Sequence, residues 1–226
     1  MHLFGSRGDA DGLDTVEAQL SAMLADDATS LGLARAALFE GASVGEVRPR
    51  LKETDQRVNA GEQEVRRALV VHIAVAGAAD SPALLTYMSI VKDVERIGDY
   101  AKNLMDLARM GVDFSRVEDR ADLLGVYDAA AAVVPDAAEA FAARDAAGAR
   151  TVLARCEELL AVCNRAVEAA AASDRPGHVE VPRALLHRYL KRVVAHSTNL
   201  LSAVLMPVDR LDYFDEDERE PDVDPA

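Results

Sequence analysis

Residues 91–104 read VKDVERIGDYAKNL, and their apolar positions recur with the period of an α-helix. With about 100° of rotation per residue, one side of that helix carries two adjacent rows of apolar or small residues. Glu95 and Asp99 lie at the edge of this apolar side, facing a neighbouring helix. The pattern therefore predicts a helix that packs on one side and presents two carboxylates there. The two rows are Leu84, Val91, Gly98 and Met105, and Tyr87, Val94 and Ala101.

The carboxylate pair Glu95 and Asp99, with Gly98 between them, is unfavourable in a helix. Like charges four residues apart repel by about 0.2–0.5 kcal/mol, and an interior glycine costs about 1 kcal/mol relative to alanine. Two explanations fit: a cation bound by the pair, or a solvated surface of salt bridges, which is the commoner arrangement on helices. Basic residues for the second explanation stand nearby, at Lys92, Arg96 and Lys102.

A second copy of this pattern occurs in the second half of the chain. Residues 95–104 (ERIGDYAKNL) align with residues 191–200 (KRVVAHSTNL), and Arg, Asn and Leu recur at matching positions. The preceding helices align as well, since Leu51, Asp55, Val58 and Val65 correspond to Leu153, Glu157, Leu160 and Val167. This repetition indicates an internal duplication of a three-helix unit.

The periodicity and the capping residues predict six helices and an all-α fold of two tandem antiparallel three-helix bundles. The predicted organisation is a flexible N-terminus (1–12), a first repeat (13–112), a second repeat (118–206) and an acidic, disordered tail (207–226). The predicted helices cover residues 13–40, 46–77, 81–111, 120–143, 145–172 and 182–206.

Composition limits the function. The formal net charge of −14 argues against nucleic-acid binding and against unaided binding to an anionic membrane. No apolar run approaches the roughly 20 residues that span a bilayer, and no signal peptide is apparent, which predicts no membrane insertion. Cys156 and Cys163 are interpreted as buried thiols in a reducing cytoplasm. Because no phosphate-binding loop, zinc-protease motif or Glu-x-x-His motif occurs, the chain is predicted not to be an enzyme.

With this duplication and the segment DVERIGD at residues 93–99, the chain resembles the PhoU family of phosphate-uptake regulators over about residues 13–206. The resemblance implies a cytoplasmic regulator of phosphate transport and phosphate-starvation signalling that acts by binding proteins. It implies two partners, the ATPase of a phosphate ABC transporter and a phosphate-sensing histidine kinase, and also a homodimer. It further implies metal binding through Glu/Asp-x-x-x-Asp motifs.

Carried over residue by residue, the motif is intact in the third helix as Glu95 and Asp99. In the second helix it becomes Asp55 and Asn59, where asparagine offers a carbonyl oxygen without a charge. We therefore expect one metal site, formed by these four residues, with Glu62 and Asp106 as secondary candidates. Oxygen ligands favour Mg²⁺, Mn²⁺, Ca²⁺ or iron.

The second repeat departs from the motif. Lys191 and Ala195 stand in place of the carboxylates of the third helix, and Glu157 and Ala161 correspond to the residues of the second. An ammonium group at a ligand position repels a cation, so the second repeat is expected to bind no metal. The same degeneration supports an alternative function, a helical adaptor that kept the bundle and binds no metal at all.

Overall fold

The computed structural model describes residues 10–211, and side chains for residues 13–211. This part of the chain forms six α-helices and contains no β-strand. None of these helices has a stretch long and apolar enough to cross a membrane. The helices are α1 (Ala10–Phe39), α2 (Val44–Ala76), α3 (Ser81–Arg109), α4 (Arg120–Ala142), α5 (Ala146–Ala171) and α6 (Gly177–Leu205).

The helix bounds agree with the predicted ones to within a few residues, except at the start of α6. That helix begins at Gly177 rather than at Pro182. Pro182 lies in the second turn, where proline removes one backbone hydrogen bond without ending the helix. Proline is favoured at the first position of a helix, but Pro182 lies inside α6 and does not mark its start.

Helices α1–α3 form one antiparallel bundle and α4–α6 form a second, as the duplication predicts. Within the first bundle α1 packs against both α2 and α3, and within the second α6 packs against both α4 and α5. Cys156 and Cys163 are buried free thiols on the inner side of α5. One side of α2 is buried over the whole length of the helix, at Val47, Leu51, Thr54, Val58, Gly61, Val65, Leu69 and His72.

The two bundles are joined by α3 against α6 and by α1 against α4. A buried carboxylate lies in the first of these interfaces: Asp93 Oδ1 accepts hydrogen bonds from His196 Nδ1 at 2.8 Å and from Asn199 Nδ2 at 2.9 Å. The His196 ring stacks on Tyr100, with ring centroids 5.8 Å apart. Polar groups of one repeat are thus satisfied by the other, which fixes the register between the bundles.

Replacing Asn199 with alanine tests this interface. We expect the free energy of unfolding to fall by about 1 kcal/mol, because Asp93 loses one hydrogen bond but keeps that of His196. Urea denaturation measures the change. Thr198→Ala is the matched control, since Thr198 donates to the Val194 carbonyl and interacts with Cys156 of α5, but makes no contact with Asp93. Equal effects of both variants would contradict the role given to Asn199.

Most of the predicted flexible N-terminus and acidic tail lies outside the described residues. Where the structure does describe them, both segments are ordered: α1 already begins at Ala10, and Val208–Arg210 form a short 3₁₀ helix that packs against α3. Leu211 is buried against the core. Because the apolar side chain of Leu211 packs against the core, residues 207–211 continue the folded structure beyond α6.

Candidate metal centre

The carboxylates predicted from the sequence lie on facing sides of α2 and α3. Asp55 and Asp99 are brought together by Lys102, whose Nζ lies 2.7 Å from Asp55 Oδ1 and 2.6 Å from Asp99 Oδ1. Burial lowers the pKa of Lys102, but the hydrogen bonds to the two aspartates outweigh it and raise the pKa above its ordinary value. Lys102 is therefore a firmly charged ammonium between two of the predicted ligands.

Lys92 forms an ion pair with Glu95, the third of the predicted carboxylates. Glu95 is 9% exposed, and its Oε2 lies 2.6 Å from Lys92 Nζ. The same ammonium is 3.8 Å from Glu62, which also pairs with Arg66 at 2.8 Å. The salt-bridge explanation is thus realised for both members of the Glu95/Asp99 pair.

Two of the candidates are not part of this arrangement. Asn59 is half-buried on α2 and makes no hydrogen bond to the predicted carboxylates in the described structure. Asp106 lies near the end of α3 and pairs with Arg109 at 2.9 Å, where both side chains are about half exposed. The structure therefore concentrates the charge at Asp55, Glu95, Asp99 and Glu62.

A residue that the sequence analysis did not identify completes the cluster. Asp27, on α1, is fully buried, and neither of its carboxyl oxygens has a hydrogen-bond partner among the described residues. It lies against Gly98: a Cβ atom at residue 98 would come within 2.5 Å of Asp27 Oδ1. This close approach explains the interior glycine between Glu95 and Asp99, because any larger residue would displace the carboxyl group.

The surroundings of Asp27 oppose its ionisation. Burial, followed by the negative charges of Asp26, Glu95, Asp99 and Asp55, raises the pKa of Asp27 well above its ordinary value. An acid in this position is uncompensated unless it is protonated or a cation lies beside it. Neither lysine makes an ion pair with it, since both bridge carboxylates of α2 and α3 instead.

A sequence signal for Asp27 does exist. The apolar stripe of α1 runs through Leu20, Met23 and Leu24 to Leu31, and Asp27 fills the heptad position between them. A single carboxylate on an otherwise apolar stripe is more informative than a pair of charges at the edge of one, because burial without a partner is costly.

The donors fit a hard cation in their chemistry, since they are all carboxylates from three helices and one of them is orphaned. However, no three potential ligand side chains in the described part of the chain are arranged to hold an ion between them as they stand. An ion bound here would have to take over the carboxylates that Lys102 now bridges. The structure thus shows lysine compensating the cluster everywhere except at Asp27.

The first repeat is similar in sequence to a known protein family. The model of the PhoU domain matches residues 20–108, which include all of these carboxylates. The first repeat is therefore similar to a PhoU domain. Among solved structures, PhoU from Pseudomonas aeruginosa superposes with a TM-score of 0.66 at 23% identity, over 85% of this chain and 95% of that one. No curated protein sequence matches.

The phosphate transport system regulatory protein PhoU from Streptococcus pneumoniae has the same TM-score of 0.66 at 16% identity, over 86% of this chain and 95% of that one. The PhoU fold thus extends through both repeats and confirms the predicted pair of three-helix bundles. The match to the PhoU domain model covers the first repeat alone. In the second repeat, Lys191 Nζ donates to Asn164 at 2.6 Å, where the first repeat has Glu95.

Proposed function

We propose that this chain regulates phosphate transport and phosphate-starvation signalling by binding other proteins in the cytoplasm, without catalysing a reaction. The similarity of the first repeat to the PhoU domain and the PhoU fold of both repeats support this role. The partners we propose are the ATPase of a phosphate ABC transporter and a phosphate-sensing histidine kinase. We also propose that the chain acts as a homodimer.

The observation that carries the metal-dependent form of this proposal is the orphaned carboxyl group of Asp27. A divalent or trivalent ion beside it would be held by Asp27, Asp55, Glu95 and Asp99, and Asn59 lies on the adjoining turn of α2. Mg²⁺, Mn²⁺, Ca²⁺ and iron all accept such oxygen ligands. The ion would supply positive charge that joins α1, α2 and α3, so its uptake would stiffen the first bundle.

The bridging ammonium of Lys102 is expected to compete with this ion. Replacing Lys102 with methionine keeps the length of the side chain but removes its charge. We therefore expect the affinity for Mn²⁺ to rise by at least about tenfold, the equivalent of about 1.4 kcal/mol. Isothermal titration calorimetry of metal-stripped protein measures the change.

Lys52→Met is the control, because Lys52 is an exposed residue of α2 outside the cluster. It should leave the affinity unchanged. An unchanged or weaker affinity in the Lys102 variant would contradict an ion shared by Asp55 and Asp99.

The regulatory role is tested with purified partners. The chain is immobilised, and the transporter ATPase and the cytoplasmic part of the kinase from the same organism are passed over it with and without Mn²⁺. Saturable binding of either protein supports the proposal. Absence of both interactions, together with a normal phosphate-starvation response in a deletion strain, would overturn it.

A second function, a metal-free helical adaptor, is favoured by two observations. Lys92 and Lys102 already pair with the predicted metal-binding carboxylates, and the second repeat has lost the motif. It differs from the first in one measurable respect, the metal content of the purified protein. Metal near background in the wild type, with no change on Glu95→Ala combined with Asp99→Ala, supports the adaptor. Stoichiometric metal that this double variant loses supports the metal-dependent regulator.

A further inference from the structure

The exposed side of α3 changes from apolar to basic along the helix. Leu85 and Met88, in the first turns, are 59% and 37% exposed. The partly exposed Lys92 and the exposed Arg96 follow on the same side of the helix, because residues three or four apart are neighbours on a helix surface. We call the side formed by these four residues the α3 strip.

The surroundings of the α3 strip are basic, although the net charge of the whole chain is −14. Asp93 and Glu95, the acidic residues between members of the strip, are buried. On the neighbouring helix α6, no Asp or Glu occurs from Val181 to Val208, whereas Arg188 and Arg192 do. The side of the molecule on which α3 and α6 meet is therefore suited to an acidic ligand.

Two of the arginines on this side have no carboxylate partner among the described residues. Arg192 donates to Tyr100 Oη at 3.3 Å, and its Nη2 lies 3.2 Å from His196 Nε2. Arg96 is exposed and forms no ion pair in the described part of the chain. A positive charge without a partner in an acidic protein attracts an incoming carboxylate more strongly than one that is already paired.

The described chain ends beside the apolar end of the α3 strip. Because α3 and α6 are antiparallel, with Asp93 in contact with Asn199, the end of α6 lies level with the first turns of α3. The 3₁₀ helix Val208–Arg210 packs against α3, and Leu211 is buried in the core. The chain therefore continues beyond Leu211 from a point close to Leu85.

The segment that follows has the same order of apolar and charged residues as the α3 strip. Residues 212–226 read DYFDEDEREPDVDPA and lie outside the described residues. We call them the acidic segment, because they contain eight Asp or Glu and one Arg, and we call Tyr213 and Phe214 the aromatic pair. The carboxylates that follow the aromatic pair stand where the cations follow the apolar residues in α3.

The length of the acidic segment is sufficient to cover the α3 strip. The eleven residues from Leu85 to Arg96 rise by about 16 Å along the helix. Residues 213–220 span roughly 23 Å when extended. Because the segment is attached to the structure a few residues away, its effective concentration at the strip is on the order of millimolar. A weak contact is therefore enough to keep it there.

We propose that the acidic segment folds back onto the α3 strip of its own chain. The aromatic pair covers Leu85 and Met88, and the carboxylates that follow pair with the guanidinium groups of Arg96 and Arg192. The contact needs neither a metal ion nor a partner protein. A protein that binds to this side of α3 and α6 has to displace the segment first, so the segment limits access to the surface.

Tryptophan fluorescence tests the apolar half of the contact. The chain contains no tryptophan, so Phe214→Trp places a single fluorophore in the aromatic pair. We expect its acrylamide quenching constant to be at most about half that of the same chain carrying Leu85→Asp, because a docked aromatic ring is shielded from solvent. Val181→Asp is the matched control: Val181 is 55% exposed and lies in the first turns of α6, far from Leu211. It should leave the quenching unchanged.

Charge reversal at Arg96 tests the basic half. Arg96→Glu should raise the quenching constant of the Phe214→Trp chain at low ionic strength. Sodium chloride at about 1 M should raise it in the parent and add little in the Arg96 variant, because the screening length is then about 3 Å. Arg48→Glu is the control, since Arg48 is an exposed residue at the start of α2.

Three outcomes would overturn the proposal. The first is a tryptophan at residue 214 that is quenched as readily as free N-acetyltryptophanamide. The second is a shielded tryptophan that neither Leu85→Asp nor Arg96→Glu exposes, because the aromatic pair would then be buried elsewhere. The third is shielding that disappears on dilution, because the segment would then bind a second copy of the chain rather than its own.

Discussion

Gly98→Ala should lower the free energy of unfolding by up to about 2 kcal/mol, although alanine is the better helix former. Propensity alone predicts a gain of about 1 kcal/mol. The new Cβ, however, comes within 2.5 Å of Oδ1 of the fully buried Asp27, and overpacking of a close-packed interior typically costs about 1–3 kcal/mol. Chemical denaturation of metal-stripped protein measures the loss.

The sign of this effect should reverse when Asp27 is removed. In an Asp27→Ala background, Gly98→Ala should stabilise the protein by up to about 1 kcal/mol, because the clash is gone and the helix propensity remains. Gly32→Ala is the control in α1, since a Cβ at that residue meets no atom within 4 Å. It should stabilise in both backgrounds. If Gly98→Ala has the same effect with and without Asp27, the glycine is not there to admit the carboxyl group.

Asp27→Asn should stabilise the metal-stripped protein at pH 7 by about 1–3 kcal/mol. At pH 7 the folded wild type must keep Asp27 protonated or bury its charge, whereas the amide is neutral in both the folded and the unfolded chain and avoids this cost. Each pKa unit by which folding opposes ionisation is worth about 1.4 kcal/mol. Thermal unfolding in the presence of a chelator measures the gain. Asp122→Asn, at an exposed position of α4, should change the stability little.

The gain from Asp27→Asn should depend on pH in one direction. The pKa of Asp27 is raised in the folded chain by burial and by the surrounding carboxylates, whereas in the unfolded chain it is about 3.9. Below that pH, Asp27 is protonated in both the folded and the unfolded chain. Its ionisation then no longer makes the wild type less stable than the variant. As pH rises through this value, only the unfolded chain ionises readily, so the wild type loses stability that the variant keeps. A gain that grew toward acid would contradict this account.

Much of the fold could be predicted from the sequence, because it follows from helical periodicity and from the internal repeat. The apolar residues that the duplication aligns, Leu51 with Leu153 and Val58 with Leu160, are buried, since a helix that is apolar on one side has few ways to bury it. The alignment of residues 95–104 with 191–200 indicated the duplicated bundle. The start of α6 was predicted less well, because proline in a second turn is tolerated more readily than its usual position suggests.

The candidate site was predicted only in part, for a physical reason. Glu95 and Asp99 share a helix, so their spacing is visible in the sequence, whereas Asp27 meets them only when α1 packs against Gly98. The ion-pair partner of each charged residue also depends on packing. Lys102 of α3 pairs with Asp55 of α2, and the spacing of residues along one helix does not predict a contact between two helices. Position on an apolar stripe, rather than distance to another carboxylate, was the usable signal for Asp27.

Thermal unfolding of the metal-stripped protein tests the central proposal, a cation site in the first repeat, most directly. Mg²⁺, Mn²⁺, Ca²⁺ and Fe²⁺ are added in turn to the wild type and to the variant that combines Glu95→Ala with Asp99→Ala. We expect at least one ion to raise the Tm of the wild type in a saturable way, because an ion that binds the folded chain stabilises it, and to leave the double variant unchanged. No response of the wild type to any ion, or an equal response of the double variant, would contradict the site.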